Sequence, residues 1–470
     1  MRSIPTLILL LLLSFADNIY GQSVIKEGQS LLQQRLSPAE MQSDINALVS
    51  VLEEAHPLLH YFNSQDDWYD LVDETKESIE DSLTQFEFYR KVAPIIASIH
   101  EVHTYIEPSR ELAIAHQLQR PILPLELLVI ESRMYVGDTF LPQGTEILSI
   151  NGRSIKDIIL DIRSKANPNT GVDDHFVQST LNNSFNFAMG YSYFVEDAQT
   201  FSITYKLPSS NKVQADQVNG ILNPVPEKTF PHWGEIVNPF QLKFFSDSIA
   251  YLKVRGWMKY EPLKISNRDI MKFFRTFFAS IASQEVNSLI IDLRDNFGGS
   301  PRKATELLRY LIPTPFRPIE YSELETQDLI SVVKVRDPKN YKIADMSLKC
   351  ENGRLIVRHM GPYKKHIPRK YLFTGNIYFL VNAKCASATS LFLALADYHD
   401  LGVFIGETPG GNTEYVCGHQ LLSFKLPNAE LNVQIPLRKS KINTTNEGSK
   451  HGVELDYYVP NNLSDGLNKE

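Results

Sequence analysis

The chain has 470 residues, 43% of them hydrophobic and 22% charged, and carries a formal net charge of −8. That length exceeds one ordinary core and predicts two or three domains, with the composition of a folded globular protein rather than a disordered or fibrous one. The acidic balance excludes nucleic acid as the main partner, because phosphate contacts need clustered Lys and Arg.

The N-terminus reads as a secretory signal over residues 1–21. Arg2 precedes the apolar run Leu7 to Leu13, and the small residues Ser14, Ala16 and Gly21 follow, placing cleavage between Ala16 and Gln22. The run is well short of the roughly 20 residues a membrane span needs, and no cysteine follows it to carry a lipid. Export to a periplasmic or extracellular space without a stable membrane anchor is the expectation.

Residues 22–115 read as a helical domain. "SPAEMQSDINALVSVLEEAH" puts Met41, Ile45, Leu48, Val49 and Leu52 on one face, with Ser37 as N-cap and Pro38 at the first helical position. A second apolar helix follows in "TQFEFYRKVAPIIASIHEVHTY". From Pro121 the pattern turns to short strands, an Asn151-Gly152 hairpin turn and an amphipathic helix, giving a separate module over 116–225. The proline-rich "LNPVPEKTFPHW" reads as a linker.

Residues 226–470 alternate strand and helix. "IAYLKVRGW", "NSLIIDL", "NIYFLVN" and "GVFIG" read as strands, and "RDIMKFFRTFFASIAS", "PRKATELLRYLI" and "SATSLFLALADY" as helices. This order predicts an α/β unit with a buried, largely parallel sheet, interrupted by an insertion near 313–370. Three cysteines are too few for a disulfide framework. Cys385 and Cys417 read either as a pair or as small buried hydrophobes.

Two strand ends carry candidate chemistry. In "LIIDLRDNFGGS" adjacent glycines allow a sharp turn that exposes backbone N–H groups, while no dinucleotide or P-loop pattern is present. In "NAKCASATSLFLALADYHDLGVFIGETPGG" a serine sits at a helix mouth. Ser387 or Thr389 reads there as a plain N-cap, or Ser387 as a nucleophile beside free amides of the first turn. A lone serine is inert without a base. His56/His60 and His100/His103 are spaced as histidine pairs, but Pro57 interrupts the first and no H-E-x-x-H exists, so no metal or cofactor is expected.

These segments resemble the tail-specific, or C-terminal-processing, serine peptidases, which include the tricorn core protease. "IASIHEVHTYI", "GTEILSINGRSI", "IIDLRDNFGG", "CASATSLF", "IGETPGG" and "HGVELDYYVP" occur in the family's order over residues 37–460. The resemblance implies a helical cap, a PDZ-like peptide-binding module and an α/β catalytic core of crotonase-like type. It places the nucleophile on Ser387 and the oxyanion hole on the N–H of Ala388 with that of Gly298 or Gly299. The lysine-dyad branch carries a lysine where this chain has Asn412, so the resemblance favours the tricorn-like branch. There His103 falls on the base and Glu454 on the carboxylate that orients it. The implied activity is hydrolysis of peptide bonds in a peptide or unfolded-protein substrate. A non-catalytic peptide-binding protein with the same fold is the alternative, and oligomeric state is left open. Thr389 and Ser390 stand where the motif has other residues, and Glu407 reads as structural.

Overall fold

The computed structural model describes residues 26–460, apart from 131, 138–139, 167–180, 182–183, 223–239, 259–265, 326–346, 352–353 and 359–363. The proposed signal segment therefore lies outside the described residues. No helix among those described is long and apolar enough to cross a membrane.

The N-terminal helices form where the sequence caps them. Helix Pro38–Ala55 opens on a capping box in which Ser37 and Glu40 satisfy each other's backbone amides, with Pro38 in the first turn. It buries Met41, Ile45, Leu48, Val51 and Leu52, with Val49 only half-buried. Helix Gln85–Ala97 repeats the device with Thr84 and Glu87. The next unit is an antiparallel sheet of Leu127–Ile130, Arg133–Val136, Glu146–Ile150, Thr200–Lys206 and Val213–Asn219. Asn151 and Gly152 both take positive φ (48° and 78°), and Ile150 pairs with Arg153 across them. This is the tight turn that the Asn-Gly pair predicts.

The α/β unit holds a six-stranded sheet in the order Phe240–Ser246, Ile249–Val254, Ser288–Asp292, Asn376–Val381, Val403–Gly406, Tyr457–Tyr458. All neighbours pair in parallel except the antiparallel edge strand Phe240–Ser246. Its strand–helix alternation is the one expected from sequence. The stretch 313–370 was expected to interrupt this unit. It lies between strands Ser288–Asp292 and Asn376–Val381 and supplies Ile319–Leu324, Ser347–Glu351 and Arg354–Arg358 to a second sheet with Tyr415–Val416 and Arg438–Ile442.

Two large hydrophobic cores result among the described residues, beside two small clusters. One holds the sheet helices and strands, including Trp257, Phe274, Phe278, Phe379 and Phe392. The other joins the N-terminal helices, the antiparallel sheet and a C-terminal hairpin bearing Leu422, Phe424, Val433 and Ile435. That hairpin, Leu421–Lys425 and Asn432–Pro436, pairs antiparallel with Tyr105–Glu107, so a strand from the first hundred or so residues is completed by the last fifty.

Candidate active site

Strand Asn376–Val381 ends at a turn that enters helix Ala388–Tyr398, with Ser387 at the N-cap position. The Ser387 side chain makes no capping hydrogen bond, so the plain-cap reading does not hold. Its backbone stands at φ 57°, ψ −118°, a region that non-glycine residues rarely enter and that costs about 1–3 kcal/mol. Such a conformation persists only where surrounding structure enforces it, and here it lifts Oγ off the helix mouth. The following helix is buried from Ala388 to Ala396, which anchors the elbow in the core.

The neighbouring turn supplies the opposite wall. Asn296 is fully buried; its Nδ2 donates to Val254 O at 2.9 Å, its Oδ1 accepts from Gly298 N at 3.0 Å, and its O accepts from Ala386 N at 3.3 Å. Gly298, at φ 103°, lies so close that a Cβ would meet Ser387 Cβ at 2.8 Å and Ala388 N at 3.0 Å. Gly299 faces away, onto Trp257 and Met258. Gly298 N–H is thus directed to Asn296. Ala388 N–H is the first helical amide, which has no intrahelical acceptor, and it opens beside Oγ.

The histidine arrives from a turn, with Thr104 N bonded to Glu101 O at 2.9 Å. His103 Nε2 lies 3.2 Å from Ser387 Oγ, although 284 residues separate them. Gly418 makes room for the ring: at φ +90°, its added Cβ would stand 2.4 Å from His103 Nε2. Gln434 Nε2 donates to His103 O at 3.2 Å, holding the turn to the C-terminal hairpin.

The carboxylate behind the ring is Glu101, not Glu454. Glu101 is fully buried, and its Oε1 accepts from His103 Nδ1 at 2.7 Å. Its Oε2 accepts from His103 N and from Thr104 Oγ1, both at 2.9 Å. Burial pushes this carboxyl up, but the facing His103 and the donated hydrogen bonds outweigh it and hold the group below the ordinary glutamate value. Glu454 is exposed and shares a surface pocket with Asp397. Asp397 lies near the far end of the Ser387 helix, about 15 Å along the axis at 1.5 Å per residue. The residue missed by sequence reasoning was two positions before the histidine in "IHEVHTY"; a turn that folds a glutamate back onto its own i+2 neighbour was the available signal.

Asn412 is buried and ties the loop that carries it. Its Oδ1 accepts from Glu414 N at 2.7 Å and Tyr415 N at 2.6 Å, and its Nδ2 donates to Ser449 O. Thr389 Oγ1 accepts from Trp257 Nε1 at 2.8 Å, and Ser390 Oγ donates to Gly410 O at 3.2 Å. Cys385 and Cys417 are buried in different clusters and unpaired, so the pairing alternative falls. No group of His, Cys, Asp and Glu among the described residues is arranged to hold a metal.

Residues 248–459 match the model of Peptidase family S41. That match supports a serine-type peptidase, with this region similar to the tail-specific family. No curated protein matches it. Among solved structures, mature CPAF complexed with lactacystin aligns at TM-score 0.64 and 13% identity, covering 92% of this chain and 96% of that one. Mature CPAF aligns at TM-score 0.60 and 12% identity, covering 92% and 95%. At such identities the likeness is one of fold. The S41 match spans Ser387, Gly298, Gly299 and Ala388 but leaves out His103 and Glu101, which precede it. The segment bearing His103 thus comes from outside the matched region.

Proposed function

We propose that this peptidase cleaves peptide bonds through an acyl-enzyme, with Ser387 as nucleophile, His103 as base and Glu101 orienting the histidine. The observation that carries the reading is the chain Ser387 Oγ–His103 Nε2 at 3.2 Å and His103 Nδ1–Glu101 Oε1 at 2.7 Å. Glu101 as acceptor keeps the proton on Nδ1, which leaves Nε2 free to take the hydroxyl proton as Oγ attacks the carbonyl. The same proton then passes to the leaving amine. Ala388 N–H, with that of Gly298 or Gly299, stabilises the oxyanion; Gly298 engages once its amide turns from or shares Asn296.

The antiparallel unit between Leu127 and Asn219 is the PDZ-like module of this proposal, receiving an extended peptide by strand addition. The charged, apolar and small-residue order at residues 2–21 supports export with signal cleavage. The deciding experiment is labelling with a fluorophosphonate. Wild type should label and hydrolyse an unstructured protein substrate, and Ser387→Ala should do neither while keeping its circular dichroism spectrum. Labelling of Ser387→Ala equal to wild type removes Ser387 from the mechanism.

A further inference from the structure

Behind Glu101 the hydrogen bonds continue, away from Ser387, to Thr104 and His56. Thr104 Oγ1 lies 2.9 Å from Glu101 Oε2 and 2.7 Å from His56 Nε2, and Leu58 N–H donates to His56 Nδ1 at 3.2 Å. Thr104 and Glu101 are wholly buried and His56 is 4% exposed.

Elementary donor rules fix the direction of this chain. A backbone N–H only donates, so His56 Nδ1 is the acceptor and its proton sits on Nε2. Nε2–H therefore donates to Thr104 Oγ1, whose single proton is left for the carboxylate. Glu101 then has one oxygen occupied from the His56 side and by the His103 amide, and the other committed to His103 Nδ1–H. Burial is the main reason His56 stays neutral, holding it down to about 4. The other charged and titratable groups facing His56 are Glu101, Lys439 and His60, and Lys439 itself binds Pro57 O and the Glu323 and Glu325 carboxylates.

We propose that His56 and Thr104 are positioning residues: they pin Glu101 Oε2 so that Oε1 points at His103 Nδ1, and they temper the charge that the carboxylate presents to the imidazole. This rests on the Ser387–His103–Glu101 reading. Without the Thr104 donor, Glu101 rotates more freely and its charge is less shared. The aligned fraction of His103 falls, and the carboxylate pulls harder on the imidazole proton.

The test compares Thr104→Val, which keeps the shape and deletes the hydroxyl, with Thr104→Ser, which keeps it. His56→Leu and His56→Gln form a second pair, glutamine retaining a donor near the Nε2 position. Peptide hydrolysis is measured from pH 5 to 9, with active sites counted by fluorophosphonate so that unfolded molecules drop out. Thr104→Val and His56→Leu should lose about tenfold in kcat per active site with KM within twofold, and their acid limb should move to higher pH. Thr104→Ser and His56→Gln should stay near wild type. A change that merely loosened the fold lowers the count of active sites and leaves the limb in place. An unmoved limb in Thr104→Val, or an equal loss in Thr104→Ser, overturns the proposal. Activity retained in His103→Ala or Glu101→Gln instead overturns the reading beneath it, so the two failures are distinct.

Discussion

At the scale of single residues the site is made by what two backbone positions refuse to hold. Ser387 is kept in a conformation suited to glycine, and Gly418 lies so close to the imidazole that no side chain fits between them. Ser387 makes no helix cap, and its hydroxyl faces His103 instead of the backbone. For Gly418→Ala, the new methyl would sit 2.4 Å from His103 Nε2, and the ring must move by about 1 Å. A misplacement of that size costs on the order of 100-fold in rate. We expect kcat to fall by about that factor in steady-state assays. Retained kcat would mean that the ring is not held where the catalytic reading needs it.

At the scale of elements, loops with buried polar ties hold the strand ends in place. Asn296 bridges Val254, Gly298 and Ala386, fastening the glycine turn to the serine elbow. Asn412 does the same for the loop after Val403–Gly406, closing it onto Ser449. Asn412→Ala leaves the Glu414 and Tyr415 amides without their acceptor, each unsatisfied group costing about 1–3 kcal/mol, while Ser449 O keeps the Tyr61 hydroxyl. We therefore expect a stability loss of about 2–4 kcal/mol by denaturant titration, with an unchanged pH–rate profile per active site. A shifted profile would give Asn412 a part in proton transfer. Asn412 thus ties a loop, and on the proposed reading the proton acceptor is His103 of the N-terminal segment.

At the scale of the whole molecule, the proposed triad requires the N-terminal helices to dock against the C-terminal segments. Tyr61 donates to Glu414, Lys450 Nζ binds Phe62 O at 3.0 Å, and Tyr105–Glu107 completes the C-terminal hairpin. His56 lies inside this seam, and its buried ring resists protonation down to about 4. The unfolded imidazole takes up its proton at about 6.5, so the unfolded state binds more protons between those values. Stability is then full above the unfolded value and declines as pH falls toward the folded one, by up to about 3 kcal/mol. Unfolding free energies measured from pH 7 to 4 should show this slope, reduced in His56→Gln; equal slopes would exclude His56 as a source.

Much of this was legible in the chain. Ser37 with Glu40 and Thr84 with Glu87 announce helix starts, Asn151-Gly152 a hairpin, and the alternation after Phe244 a parallel sheet, because caps, turns and periodicity are local properties. Ser387 and the glycine turn were visible as strand-end motifs, while His103 was named as base only through the resemblance. The sequence could not say which carboxylate meets His103, since Glu454 and Glu101 are equally ionisable in isolation and only packing decides. Burial beside the imidazole selects Glu101, and a helix length of about 15 Å removes Glu454. Nor could it show that Leu421–Pro436 joins the N-terminal core, or that 313–370 builds a sheet with strands a hundred residues later. Such pairings between remote segments follow from where apolar faces find cover, and that is settled only when the whole chain folds.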